Sequence, residues 1–280
     1  VSDTDFEADP IKLELFNNKF MAIAEEMGAT LRNTSHSVNI KERLDFSCAL
    51  FDDAGRLIAN APHMPVHLGS MGASVEAVIE KFGQNMDPGD AFILNDPYKG
   101  GTHLPDITVI SPVFVENKEG NRPSFYTASR GHHADIGGIT PGSMPPNSKT
   151  IEEEGILIPA SLLVKKERFL ETELRTLLSS GPYPARNIDQ NLADLKAQVA
   201  ANKTGITALE KLVEQYGLAM IRSYMSFVRH NAEISVRKTL ERLEDGSFTL
   251  PLDCGAVIKV AIKVDNERSS ERTAKIDFTG

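Results

Sequence analysis

Apolar residues recur at a spacing that suits a helix through Ile11, Leu13, Leu15, Phe16, Phe20, Met21, Ile23, Ala24, Met27 and Leu31. That period collects them on one side of a helix. It predicts helix from Pro10 to Arg32, with Asp9-Pro10 as its start. The period then shortens. Phe46–Phe51 predicts a strand, Asp52–Arg56 a hairpin turn and Leu57–Ala59 the return strand. Helical spacing comes back over Ser70–Phe82, with Val75, Val78, Ile79 and Phe82 on one face.

Ala91–Leu94, Ile107–Val115 and Ser124–Ala128 are rich in β-branched and aromatic residues and predict buried strands. The polar stretch Glu116–Arg122 joins the last two as a hairpin. Glycine-rich and proline-rich turns occupy Asn95–Asp106 and Gly131–Pro146. From Asn187 the texture is helical to Leu243, broken at Gly217. Alternation over Val257–Val264 then predicts strand again. The fold class expected is α+β: a mixed, largely antiparallel sheet, an N-terminal helix and a later long helical hairpin. The domains expected are residues 1–186, carrying the chemistry; 187–245, the helical hairpin; and 246–280, the start of a β-rich segment. The absence of a starting Met and the ending in Asp277-Phe278-Thr279-Gly280 suggest a piece of a longer chain.

Composition narrows the class of partner. The 280 residues are 41% hydrophobic and 25% charged, with a formal net charge of -9. An acidic chain without a basic cluster does not suit nucleic acid or an anionic membrane surface. No stretch approaches the roughly 20 apolar residues of a membrane span. The two cysteines, Cys48 and Cys254, are far apart in apolar surroundings, which points to free thiols and a reducing, cytoplasmic setting. The first nine residues are acidic and polar, unlike a signal or transit peptide.

Five of the seven histidines fall between His63 and His133. His36 sits in a polar stretch and His230 on a helix, both expected at the surface. His63 and His67 flank Met64-Pro65-Val66 in a loop that can line a pocket. His103 and Asp106 lie in Gly100-Gly101-Thr102-His103-Leu104-Pro105-Asp106, just before a strong strand. There a His-x-x-Asp turn can present a nitrogen and an oxygen to one ion. His132, His133 and Asp135 follow the next strand, in Arg130-Gly131-His132-His133-Ala134-Asp135-Ile136-Gly137-Gly138. If these strands are antiparallel neighbours, His132 or His133 comes near His103. A nitrogen and oxygen set without thiolate suits Zn, Mn or Fe, and three protein ligands leave a position open. Phosphate-loop, dinucleotide, His-Glu-x-x-His and Gly-x-Ser-x-Gly motifs are absent from the sequence, so a nucleotide would bind on another polypeptide or domain.

The same stretches carry a family resemblance. Asp9-Pro10-Ile11-Lys12-Leu13-Glu14-Leu15-Phe16, Asn39 through Cys48, Asn60-Ala61-Pro62-His63-Met64-Pro65-Val66-His67-Leu68-Gly69, Gly101 through Asp106, and Ala128 through Pro146 resemble the hydantoinase B/oxoprolinase family. Within it, the chain is most similar to the N-terminal half of the B-type region of ATP-dependent 5-oxoprolinases. Weaker likeness runs through Asp189-Gln190-Asn191-Leu192 and Gln198–Asn202 to Asp277-Phe278-Thr279-Gly280.

The resemblance implies ATP-coupled opening of a cyclic amide, 5-oxo-L-proline to L-glutamate, as in glutathione metabolism. It implies a partner: an actin-like ATPase subunit or domain of the hydantoinase A/oxoprolinase type, holding ATP and Mg, in an oligomer. It implies His103 and Asp106 as metal ligands, with His132 or His133 as the third. Asp135 would orient a ligand imidazole. His63, His67 or the unused histidine of the pair would serve as general base, and Arg43 or Arg130 would bind a substrate carboxylate. Hydantoin or N-methylhydantoin hydrolysis and ketone carboxylation use the same kind of site. A docking half without chemistry is the non-enzymatic reading. An isolated fragment of this kind is expected to have no ATP-dependent turnover.

Overall fold

The computed structural model describes residues 8–62, 64–67, 69–83, 85–115, 122–265 and 272–279. Helix α1 spans Pro10–Thr34, and its N-cap Asp9 accepts hydrogen bonds from the backbone N–H groups of Ile11 and Lys12. Its buried stripe is Phe16, Phe20, Ile23, Ala24, Met27, Gly28 and Leu31, whereas Ile11, Leu15 and Met21 of the apolar set are exposed. A single-turn helix α2 (Val38–Lys41) leads into the hairpin of β1 (Phe46–Phe51) and β2 (Leu57–Pro62). A 3-10 turn at Pro65–His67 precedes α3 (Met71–Phe82). Then come β3 (Ala91–Leu94), β4 (Asp106–Val113) and β5 (Phe125–His132).

The stretch that the sequence leaves unassigned holds α4 (Ile151–Glu154), the hairpin of β6 (Ser161–Lys165) and β7 (Arg168–Phe169), and α5 (Glu171–Leu178). Helix α6 (Ile188–Tyr216) and helix α7 (Leu218–Leu240) follow, separated by Gly217 at φ +83°. Strands β8 (Gly246–Pro251), β9 (Val257–Asp265) and β10 (Thr273–Asp277) complete the described residues, among which no helix is long and apolar enough to cross a membrane.

Among the described residues seven strands form one antiparallel sheet in the order β2-β1-β5-β4-β3-β6-β7. The fold is the α+β class expected, with β4 and β5 as antiparallel neighbours. Their connection includes residues 116–121 of the expected hairpin loop, which lie outside the described residues. Strand β5 runs four residues beyond the predicted end at Ala128. Ser129, Arg130 and His132 are polar yet continue the ladder, because buried hydroxyls, amides and carboxylates receive their side chains.

The two sheet faces differ. Ala49, Phe51, Phe92, Leu94, Ile110 and Ala128 pack with Met71, Val75 and Val78 of α3. On the opposite face Ile93, Ile107 and Val109 pack with Leu192 and Leu195 of α6 and with Leu174 and Leu178 of α5.

Helix α6 is held to the sheet by side-chain amides as well as by apolar contact. Gln198 Nε2 donates to the carbonyls of Ile107 (2.9 Å) and Ser129 (3.1 Å). One turn on, Asn202 Nδ2 donates to Val109 O at 3.0 Å. Gly205 lets α6 approach α1 closely, since a Cβ there would lie 2.5 Å from Met27 Sδ and 3.0 Å from Thr127 Cγ2.

The chain divides into two compact units, Val1–Met225 and Ser226–Gly280. The first includes α6, which the sequence sets apart from the sheet region; its amides and its contacts with α1, β4 and β5 tie it there. The second contains the three-stranded sheet β10-β9-β8, and in the same unit Arg237 Nη1 of α7 donates to Arg272 O, just before β10, at 2.7 Å.

Candidate metal centre

Three strands meet in a row. His132, the last residue of β5, stands directly opposite Asp106, the first residue of β4. On its other side the His132 N–H donates to Asp45 O at 3.0 Å, one residue before β1. Side chains at directly opposed positions lie about 4.5–5.5 Å apart at Cβ, close enough to share an ion.

The loop Gly100–Pro105 brings His103 over this row. Its tight path depends on Gly101, where a Cβ would collide with the Asn95 carbonyl. Asn95 fixes the base of the loop. Its Nδ2 donates to Leu104 O (2.8 Å) and Ile156 O (2.9 Å), and its Oδ1 accepts from Ile158 N–H (2.6 Å).

His103, Asp106 and His132 each offer one ligand atom within 4.8 Å of the others. Asp106 Oδ1 and His132 Nδ1 are 2.8 Å apart, and the two imidazole centroids are 5.3 Å apart. His67 approaches from the 3-10 turn, with Nε2 3.6 Å from Asp106 Oδ2 and Nδ1 3.1 Å from Ser47 Oγ. Asp45 closes the ring, 3.8 Å from His132 Nδ1 and 3.9 Å from His67 Nε2.

The electrostatics suit a cation. Burial opposes ionisation of Asp106, but hydrogen bonds and positive charge from His132 and His67 prevail, and its carboxyl is held well below the usual range. Burial likewise opposes charging of His132, yet the bond to Asp106 raises its pKa. His103 is shifted down by burial, with Asp106 pulling the other way, which favours the neutral imidazole that a metal needs. Two imidazole nitrogens and an ionised carboxylate, with a second carboxylate beside them, are a donor set that fits Zn, Mn or Fe.

The two adjacent histidines separate. His132 faces the cluster, whereas His133 is fully buried on the α6 side. There its Nε2 lies 3.0 Å from Gln198 Oε1 and its Nδ1 3.2 Å from Asn191 Nδ2. Asp135 is drawn into the glycine-rich turn. It accepts from the N–H groups of Gly137, Gly142 and Arg186 and pairs with Arg186 Nη1 at 2.7 Å. Arg43 is exposed and acts electrostatically on His132. Arg130 is fully buried, its guanidinium bonded to hydroxyls. His36 and His230 are exposed, as expected. His63 lies outside the described residues.

Asp45 is absent from the sequence-derived set. Its signal is parity: Asp45 and Ser47 alternate along β1 as His132 and Arg130 do along β5. Leu44 turns Asp45 into place with φ +57°, a left-handed conformation that costs a leucine about 1–2 kcal/mol. Strain of this size concentrates at functional sites. Asn191, Gln198 and Asn202 are also absent from that set. They are polar residues spaced seven and four apart, two turns and one turn, on the face of α6 that its apolar residues mark as buried.

A hollow of about 910 Å³ lies elsewhere, at the far end of β4 beside Pro112, Phe114, Lys166 and Glu167. It contains none of the clustered ligands.

Comparison with known proteins adds to this geometry. A family model described as hydantoinase B/oxoprolinase matches residues 9–280. 5-Oxoprolinase 1 of Arabidopsis thaliana is 46% identical over 297 residues, covering 98% of this chain and 23% of that protein. 5-Oxoprolinase of Saccharomyces cerevisiae is 47% identical over 279 residues, covering 95% of this chain and 22% of that one. The solved structure of ATP-dependent caprolactamase from Pseudomonas jessenii superposes with a TM-score of 0.82 at 29% identity, over 98% of this chain and 47% of that chain. The chain thus spans less than a quarter of the length of these curated relatives.

Proposed function

This chain belongs to the hydantoinase B/oxoprolinase family, and we propose that it is the metal-bearing part of an ATP-dependent cyclic-amide hydrolase opening 5-oxo-L-proline to L-glutamate. The observation that carries the reading is the convergence of His103, Asp106 and His132 within 4.8 Å beside a second carboxylate, Asp45. The named 5-oxoprolinase relatives give the substrate, and the caprolactamase likeness supports a ring amide as its class. No nucleotide-binding motif occurs in the sequence, so ATP and Mg belong to a partner subunit or domain of the hydantoinase A/oxoprolinase type, in an oligomeric enzyme of the cytoplasm.

The chemistry divides accordingly. The amide oxygen takes the γ-phosphoryl group of ATP, releasing ADP. Water adds to the activated carbon, and the C–N bond breaks with its electron pair and a proton passing to nitrogen. The resulting acyl phosphate is hydrolysed by a second water to carboxylate and phosphate. A bound divalent ion supplies Lewis acidity and lowers the pKa of water. His103, Asp106 and His132 would hold that ion, with Asp45 as a fourth donor, through oxygen. His67, fixed by Ser47, stands beside the cluster as general base. Arg43, exposed at the same end, binds the substrate carboxylate. His133 and Asp135 hold the ligand-bearing turn from behind.

The test is an activity panel with the ATPase part supplied: 5-oxo-L-proline, hydantoin, N-methylhydantoin, caprolactam and acetone, following ADP and product together. Glutamate formation lost in His103→Ala supports the reading. Turnover of acetone alone moves the chain to ketone carboxylation. Turnover equal in wild type and His103→Ala removes the site from the chemistry.

A further inference from the structure

Asn191 stands behind the ligand-bearing turn and reaches it twice. It lies in the first turn of α6 and is buried; its Nδ2 donates to Asp135 O at 2.9 Å and meets His133 Nδ1 at 3.2 Å. A carbonyl oxygen can only accept, so the end of the amide that faces Asp135 O is the nitrogen. Its second hydrogen is then directed at His133 Nδ1, which accepts. The other side of the ring gives the same answer independently. Gln198 Nε2 directs both its hydrogens at carbonyls, Ile107 O and Ser129 O, so its Oε1 is the atom that faces the imidazole. His133 Nε2 lies 3.0 Å from that oxygen and donates to it. Both amides thus require one tautomer, with the ring proton on Nε2 and a bare Nδ1. His133 is fully buried, which shuts bulk water away from both nitrogens.

The ring held in this way carries the backbone that holds the ligands. The His133 N–H donates to Pro105 O at 2.8 Å, and Pro105 lies between His103 and Asp106. Asn95 pins the same turn one residue earlier, through Leu104 O. On the other side, the His132 N–H is tied to Asp45 O. A shift of the His133 ring therefore reaches all of the clustered ligands through two backbone bonds.

We infer that Asn191 is a positioning residue of the metal centre: it holds His133 in the Nε2–H tautomer and, through the His133 N–H and Pro105 O, sets the His103–Asp106 turn against His132. For the ion itself the inference rests on the proposed function. Groups that orient a ligand turn from behind change metal affinity by about 10- to 100-fold. The same bonds remove His133 from the candidates for general base, since its Nδ1 is occupied and its Nε2 already carries the proton.

The experiment compares Asn191→Leu with Asn202→Leu in the purified full-length protein. Asn202 is an equally buried amide of α6, but it donates to Val109 O and Ser111 Oγ, farther along β4 from the ligand turn. Each substitution leaves two buried acceptors unpaired, so similar losses of stability in chemical denaturation are expected. Zinc titration of the stripped protein separates the two: affinity should fall about tenfold or more in Asn191→Leu and less than about twofold in Asn202→Leu. Nitrogen-15 NMR of histidine-labelled wild type reads the tautomer directly and keeps the inference open to refutation even if Asn191→Leu does not fold. A protonated Nε2 and a bare Nδ1 are expected for His133. A protonated Nδ1, or zinc affinity changed equally by both substitutions or by neither, overturns the inference. If the assembled enzyme opens cyclic amides while Asn191→Leu binds zinc as wild type does, the positioning role fails and the proposed function stands. If affinity falls as described and no cyclic amide is opened, the positioning role stands and the proposed function fails.

Discussion

Asp45 and His132 are joined at two levels: the His132 backbone N–H donates to the Asp45 carbonyl at 3.0 Å, and their side chains approach to 3.8 Å. The backbone bond fixes where the second carboxylate can reach. Asp45→Asn keeps that bond and removes the charge. Metal affinity is expected to fall about 10- to 100-fold with the unfolding free energy nearly unchanged. Titration of the stripped protein with Zn or Mn, beside a denaturant melt, checks both halves.

The neighbouring histidines should part company under substitution. His132→Ala removes a ligand atom and should weaken metal binding on the order of 100-fold or more. His133→Ala leaves the ligand set intact but strands Gln198 Oε1 in the α6 interface, costing about 2–3 kcal/mol of stability. A purified His133→Ala protein that keeps full stability and loses its metal would reverse the assignment.

Metal affinity should rise with pH on the acid side of neutrality. An ion must displace the proton that Asp106 helps His132 to retain, since the pKa of His132 is raised in the metal-free protein. Asp106 is held ionised well below its ordinary range, and burial lowers the pKa of His103, so the proton released comes chiefly from His132. One proton therefore leaves per ion bound, and affinity gains about tenfold per pH unit until His132 has lost its proton. Calorimetry in buffers of different ionisation enthalpy counts that proton; a count of zero sinks the prediction.

Gln198→Leu keeps the bulk of the side chain but removes its bonds to Ile107 O, Ser129 O and His133. A loss of about 2–3 kcal/mol is expected in chemical denaturation.

Gly205→Val drives a branched side chain into Met27 and Thr127, where even a Cβ is crowded. It should cost about 2 kcal/mol or more, whereas Gly205→Ala recovers about 1 kcal/mol through helix propensity and loses less. A melt in which Gly205→Val matches wild type would show that α1 and α6 do not pack as described.

Much of this fold is legible in the sequence. The helical period gives α1, α3 and α6, the apolar runs give β1, β3 and β4, and glycine marks the break at 217. The sequence offers antiparallel pairing of β4 with β5 only as a condition; the structure meets it and sets His132 opposite Asp106. The hairpin of β6 and β7 was hidden because its turn residues Lys166 and Glu167 hold positive φ without being glycine or asparagine. The choice between His132 and His133 depends on which sheet face each side chain takes, which needs the strand to continue through polar residues that apolar patterning stops at. Asp45 was hidden because its approach needs a left-handed Leu44, which composition does not announce.

The rung that sets Asp106 against His132 has a consequence for ion choice. Two of the proposed ligands are spaced by the sheet itself, whose strands lie about 4.8 Å apart whatever side chains they carry. The site therefore has a built-in ruler that mutation of the surrounding loops does not lengthen. Preference among ions of similar radius would then be changed by exchanging imidazole for carboxylate at His103, on its loop, more readily than by widening the cage.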